Sequence, residues 1–167
     1  MHALTETSTK RETLATRVAL HPFLAGMSRT HLMLLTDCAI ATHIKKQQTI
    51  LREGEFANRF YLIETGRVVL ESVNRFGDVV VIETIGSGDL LGWSWMFPPY
   101  IWQFTAQAVE PTTAIFFYGT ILREYCGKDH SLGYELLKRM SAVMVKRLQA
   151  ARKQMLSFHS HGAAIEP

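Results

Sequence analysis

The sequence predicts a mainly β domain flanked by helices, and three observations carry that expectation. Between residues 42 and 118, short β-branched and aromatic runs alternate with Gly and Asp at near-regular spacing, the pattern of hairpins stacked into a sandwich or barrel. Ahead of them lies a capped amphipathic segment, and behind Tyr118 the apolar residues step by threes and fours, the helical period. The length of 167 residues, with 47% hydrophobic and 20% charged side chains, suffices for one core and excludes a disordered chain.

Residues 1–19 are polar and Thr-rich, without a clear period, and are expected to form a flexible arm or a frayed helix. Pro22 holds the preceding residue extended, and Ser28 stands where an N-cap would open a short helix over about 29–40, with Leu32, Leu35 and Ala39 on one face. Seven or eight strands are expected next. Ile50-Leu51 leads to Glu53-Gly54-Glu55, Phe60 to Ile63 leads to Thr65-Gly66, and Val68 to Leu70 leads to the turn residues Asn74 to Asp78. Val79 to Ile85 then runs into Gly86-Ser87-Gly88-Asp89. Gly54 and Gly66 allow the positive φ that tight hairpins need. Ile121, Leu122 and Tyr125 suggest a short helix that Gly127 would break, and a long helix is expected over 131–158. Its apolar positions are Leu137, Met140, Met144, Leu148, Ala151, Met155 and Phe158. At about 1.5 Å per residue such a helix reaches nearly ~40 Å, more than a small barrel covers, so this seam is expected to meet a second copy of the chain.

Composition narrows the function classes. Cys38 and Cys126 stand alone and far apart, which fits reduced structural thiols rather than a disulfide framework or a metal pair. The seven histidines contain no pair at metal-ligand spacing on an expected helix, and no spacing singles out a haem ligand, so no metal or cofactor is expected. There is no Gly-x-Ser-x-Gly elbow and no Gly-x-x-x-x-Gly-Lys loop, while Glu53, Glu55, Glu64 and Glu71 fall at strand ends or turns. A non-enzymatic protein is expected. No apolar run approaches the roughly 18 residues of a bilayer span, and the N-terminus lacks the apolar centre of a secretory signal, which together predict a cytoplasmic protein without membrane association. The net charge of +3 is a sum of opposites: residues 136–165 hold six basic side chains and no acidic one, leaving the rest of the chain at −3. The pairs Lys138-Arg139, Lys146-Arg147 and Arg152-Lys153 are expected on the side of the helix away from the apolar seam, either solvated or facing an acidic partner or a nucleic-acid backbone.

The segment Gly54-Glu55-Phe56-Ala57-Asn58-Arg59-Phe60-Tyr61-Leu62-Ile63-Glu64-Thr65-Gly66-Arg67-Val68 resembles the cyclic nucleotide-binding domain family, with its Gly, an Ala three residues on, and Tyr-x-Ile-x-x-Gly-x-Val. Gly88-Asp89-Leu90-Leu91-Gly92 and Ala108-Val109-Glu110-Pro111 match the family's next landmarks. The resemblance covers about residues 20–158 and implies an eight-stranded jelly-roll β-barrel, or β-roll, plus a long C-terminal dimerisation helix over 131–158, with 159–167 as a tail. It also implies a homodimeric regulatory or sensor module acting through a partner protein. DNA-binding relatives follow this helix with a helix-turn-helix domain, and the nine residues after Phe158 are too few for one, so sequence-specific DNA binding is not expected.

The ligand pocket is where the chain departs from the family. Members that bind cyclic nucleotide carry a Glu for the ribose after the last of those glycines, and later an Arg for the phosphate. Here Trp93 stands in the Glu position and Trp102 or Gln103 near the Arg position. An indole donates one hydrogen bond and accepts none, so Trp93 cannot replace a carboxylate. No Lys or Arg occurs between Arg75 and Arg123, which leaves Arg59, Arg123 or a base on the long helix as the only charges that might serve a phosphate. The cassette 92–104 is instead aromatic, with all three tryptophans inside ten positions. Leu91, Gly92, Trp93, Ser94, Trp95, Trp102, Gln103 and Phe104 are the pocket candidates. The rings either plug the cavity, line a site for a flat aromatic ligand or a cyclic nucleotide held in a non-standard way, or grip a partner protein.

Overall fold

The computed structural model describes residues 13–162. Residues 13–20 form helix α1, the helical alternative for this segment, while residues 1–12 lie outside the described part. Leu14 and Val18 are one helical turn apart, so a polar segment still presents an apolar edge, and Val18 is fully buried. Arg17 grips Glu64 with two donors, the Nη2–Oε2 distance being 2.5 Å. A single 3-10 turn (Pro22–Leu24) leads to α2 (Arg29–Asp37), which Ser28 caps by accepting from the His31 amide. The helix stops short of residue 40 because Ala39 already pairs with Phe117.

Eight strands follow: β1 (Ala39–Ile44), β2 (Thr49–Leu51), β3 (Arg59–Thr65), β4 (Arg67–Val73), β5 (Val79–Gly86), β6 (Leu90–Leu91), β7 (Thr105–Ala108) and β8 (Thr112–Tyr118). They form two four-stranded antiparallel sheets, ordered β1-β8-β3-β6 and β2-β7-β4-β5, that make up the expected β-roll without closing into one hydrogen-bonded barrel. Alternation along β3 and β8 divides the core into two layers. Tyr61, Ile63 and Ala114 face the inside of the roll with Val68, Leu70, Ala106 and Leu91. Phe60, Leu62, Ile115 and Phe117 face outward and are covered by the helices through Leu24, Leu35, Leu122, Leu132 and Leu136. Both faces of this sheet are therefore buried, which is why β3 reads as a nearly continuous apolar run.

Helices α3 (Gly119–Lys128) and α4 (His130–Gly162) complete the described residues. Gly127 does not break α3: it lies in open space one residue from the helix end. The break is at Asp129, whose Oδ1 accepts from the Ser131 and Leu132 amides at 3.0 and 3.2 Å and so caps α4. Bonds from the Ser131 hydroxyl and the Leu132 amide hold its carboxyl below the usual carboxylate range. With 33 residues, α4 runs for roughly 50 Å and extends to Gly162, so residues 159–162 of the expected tail are helical.

Two expectations about α4 are corrected. Met140 is fully buried in the chain's own helix-covered layer beside Leu136, so it has no surface left for a second copy. Nor do the basic pairs share one outward face. The Arg139 guanidinium donates to the Phe23 and Ala25 carbonyls, and Arg147 is held inward with its side chain only 11% exposed. Leu132, Leu136, Met140, Val143 and Arg147 step by fours and threes, so Arg147 lies on the inward stripe by the same periodicity that buries Met140.

Candidate ligand site between the aromatic cassette and helix α4

The cassette begins at Gly92, where the backbone takes φ +88°. A Cβ on that residue would lie 2.9 Å from two atoms of the Trp102 six-membered ring, so the absent side chain is what lets the indole lie there. Trp102 is buried in the layer inside the roll with Leu91 and Phe104. Its main chain is fixed as well: its amide donates to the Glu55 carbonyl and its carbonyl accepts from the Gly54 amide, both at 2.9 Å. The neighbouring Ala57 amide bonds the Tyr100 carbonyl at 2.6 Å, so the second half of the cassette is zipped onto residues 54–57.

Trp95 goes the opposite way. It enters the helix-covered layer, stacks on Phe60 with ring centroids 5.2 Å apart, and packs against Gly119, whose own Cβ would meet its ring. Arg123 of α3 donates to the Trp95 carbonyl and covers the Tyr100 ring at 4.4 Å, which pins the cassette from outside. Ser94 is buried, and Gln103 is exposed with its amide on the Ile101 carbonyl. The eight pocket candidates therefore scatter over two buried layers and the surface.

Trp93 and Phe104 do line a cavity. Its volume is about 890 Å³ and it lies between the roll and α4. Leu70 of β4, Ile82 and Thr84 of β5, and the two cassette rings form its floor. Ser141, Met144, Val145, Leu148, Ala151 and Gln154 of α4 form its roof. Met144, Leu148 and Ala151 were expected in a dimer seam, and here they face this space. Among the described residues, Glu83 and Arg147 are the charged ones on its wall. Arg147 places its Cζ 4.9 Å from the Trp93 ring centroid, sets Nε 3.2 Å from Glu83 Oε1, and donates through Nη2 to the Leu90 carbonyl at 2.6 Å. Nη1 is buried without a hydrogen-bond partner. Burial lowers the Arg147 pKa and raises that of Glu83, and their mutual attraction opposes both shifts. Glu83, Arg147 and Ala150 also line a smaller cavity of about 270 Å³ beside Gly88 and Lys146, so these side chains form a partition between the two spaces.

Arg59, the base of β3, is committed to its own neighbours. Arg59 donates to the Tyr61 hydroxyl, to Asn58 Oδ1 and to the Ile50 carbonyl at 3.0 to 3.1 Å. Near the α3–α4 junction His31, Asp129 and Ser131 meet, but Asp129 Oδ2 and Ser131 Oγ both approach the same ring nitrogen, Nε2, at 3.1 Å, while Nδ1 has no partner. A relay to a nucleophile needs the carboxylate and the hydroxyl on opposite nitrogens, so this cluster ties helices together instead. Among the described residues no group of three or more His, Cys, Asp or Glu could hold a metal ion, and no helix is long and apolar enough to cross a membrane.

Sequence reasoning missed Glu83, Thr84 and Arg147. The spacing of Arg147 from Met140 and Met144, seven and three residues, was the signal that it faces inward.

A family model described as cyclic nucleotide-binding domain matches residues 41–129. No curated protein matches the chain. Among solved structures, the fold is similar to a Geobacter metallireducens protein described as a cyclic nucleotide-binding protein, with TM-score 0.72 and 22% identity over 80% of this chain and 96% of that one. It is also similar to a cyclic nucleotide-binding domain from Methylobacillus flagellatus, with TM-score 0.74 and 18% identity over 89% and 84% of the two chains. The regulatory subunit of a cAMP-independent protein kinase A from Trypanosoma brucei aligns with TM-score 0.69 and 20% identity, over 82% of this chain and 49% of that one. At such identities the likeness establishes the fold.

Proposed function

The chain belongs to the cyclic nucleotide-binding domain family, and we propose that it is a non-enzymatic, cytoplasmic regulatory module that does not hold a cyclic nucleotide in the family's usual way. The observation that carries this reading is Trp102. Its buried ring occupies the space over Gly92 where the cassette would otherwise offer room, and no guanidinium is free inside the roll to replace the missing Arg. The structural neighbour described as cAMP-independent supports the idea that this fold can regulate without that ligand. Calorimetric titration with cyclic AMP and cyclic GMP is expected to give no binding heat, and micromolar affinity for either would overturn the reading. Such affinity would also stabilise the fold by about 2.7 kcal/mol at a hundredfold excess over the dissociation constant, so thermal shift is a second readout.

Output runs through α4 to a homodimer and a partner protein. Leu137, Leu148, Met155 and Phe158 are exposed on the helix, and Tyr134, Val145 and Leu156 add to the apolar surface. Sedimentation equilibrium is expected to give a dimer that Leu148→Lys weakens, and a monomer at high concentration would refute it. A second reading, a receptor for a flat aromatic ligand, is favoured by the 890 Å³ cavity beneath Trp93.

A further inference from the structure

Helix α4 is attached to the rest of the chain in two different ways. Over its first half the attachment is packing. Leu132, Leu136 and Met140 are fully buried in the helix-covered layer, and Arg139 donates to the Phe23 and Ala25 carbonyls. Beyond Met140 and as far as Phe158, no described residue of the helix is buried, and Val143, Met144 and Arg147 are the ones that reach half-burial. Met144, Leu148 and Ala151 look onto the cavity of about 890 Å³ instead of a close-packed surface. A gap of that size forfeits the dispersion contacts that ordinarily hold a helix to a sheet. What bridges the gap is one side chain. Arg147 reaches Glu83 of β5 through Nε at 3.2 Å, the Leu90 carbonyl of β6 through Nη2 at 2.6 Å, and the Trp93 ring at the start of the cassette. Among the described residues 141–154, these are the polar contacts that join α4 to the roll.

From this asymmetry we infer that Arg147 is a latch: it holds the outer part of α4, residues 141–158, onto the roll, and its release lets that part open locally while the first half of the helix stays docked. Charge-assisted bonds are strong but few here, and all three contacts belong to one guanidinium, so they are lost together. A guanidinium that turns out to water regains its hydration, whereas Met140 cannot leave its layer without exposing apolar surface. Segments with few buried apolar contacts open at a smaller free-energy cost than the whole domain, and the outer part of α4 is such a segment. The inference deepens the reading that output runs through α4, and rests on it for its consequence: opening withdraws Met144, Leu148 and Ala151 from the cavity and presents them to a second copy of the chain.

The test is hydrogen–deuterium exchange of the full chain, at a dilution where it sediments as a monomer. Arg147→Gln is expected to speed exchange of the 148–158 amides about ten-fold or more, the scale on which hydrogen bonds to charged groups contribute, and to leave the 132–140 amides unchanged. Glu83→Gln removes the ion pair but keeps the Leu90 bond, and is expected to act on the same amides to a smaller extent. Arg139→Gln, which loosens the first half, is expected to leave the 148–158 amides as they are. Unchanged outer amides in Arg147→Gln, an equal rise in both halves, or an equal outer effect from Arg139→Gln would each overturn the inference. If Arg147→Gln fails to fold, Glu83→Gln decides on the same comparison, and outer amides that do not respond to it overturn the latch. Sedimentation of the native chain over a concentration series reads the dimer separately. A monomer throughout sinks the homodimer reading and leaves the latch standing, while unresponsive outer amides sink the latch and leave the dimer standing.

Discussion

Trp102 and Trp93 lie nine residues apart in one cassette and have opposite fates. Trp102 is driven inside the roll, where Gly92 makes room for it and residues 54–57 clamp its backbone. Trp93 stays at the margin, half-buried, with one cation over its ring and an open cavity beside it. The first fills space inside the roll, and the second borders the cavity between the roll and α4. The aromatic richness of the cassette is thus one composition serving two jobs, and the difference lies in which layer each ring meets.

The largest effect that can break this contrast is Trp102→Ala. Deleting a buried indole from a packed interior costs about 3–5 kcal/mol, which chemical denaturation would read as a large loss of midpoint. Trp93→Ala, at a half-buried site, is expected to cost much less. Equal losses of stability would erase the distinction between a plug and a wall.

Helix α4 repeats the contrast along its length. Met140→Ala is expected to cost about 2–5 kcal/mol, because the side chain is fully enclosed by the chain's own layer. Leu148→Ala, at 70% exposure, is expected to fall within about 0.5 kcal/mol for the isolated chain, with its effect seen in self-association instead. A Leu148 cost comparable to that of Met140 at dilutions where the chain is monomeric would show that the outer half of α4 is anchored as firmly as the inner half.

The smallest expected effect concerns the strap that holds the helical layer to β3. His21 accepts from the Phe23 amide through Nδ1 and meets the Ile63 carbonyl through Nε2 at 3.0 Å, so it is neutral with its proton on Nε2. Burial lowers its pKa from the ordinary 6.5. Since the unfolded chain then binds the proton more readily than the folded one, His21 contributes stability above about 6.5 that is lost as the pH falls through its lower folded value. Thermal midpoints across this range should decline for the native chain and flatten for His21→Gln. An unchanged slope in the variant would assign the decline to other groups.

Much of the fold was legible because it follows from local rules. Ser28 capped α2 as its position before an amphipathic run required, and Gly54 and Gly66 took φ of +83° and +96°. The eight strands, their turns and the long final helix fell near their expected places, since period and punctuation are read directly along a chain. The site was less legible. The segment of α1 could be read as a loose arm or a frayed helix, and its docking through Leu14 and Val18 depends on the layer they meet. Charge hid Arg147, because a guanidinium on an apolar stripe reads as solvated until a neighbouring strand supplies Glu83 and an indole.

The sequence by itself determined the order of elements, the family landmarks and the concentration of tryptophans in one cassette. Only the tertiary structure decided that Trp102 fills the roll, that Trp95 joins the helical layer, and that Met144 and Arg147 line a cavity. Periodicity tells which residues of one element share a face. What that face meets depends on segments brought together from far along the chain, as Glu83 is with Arg147.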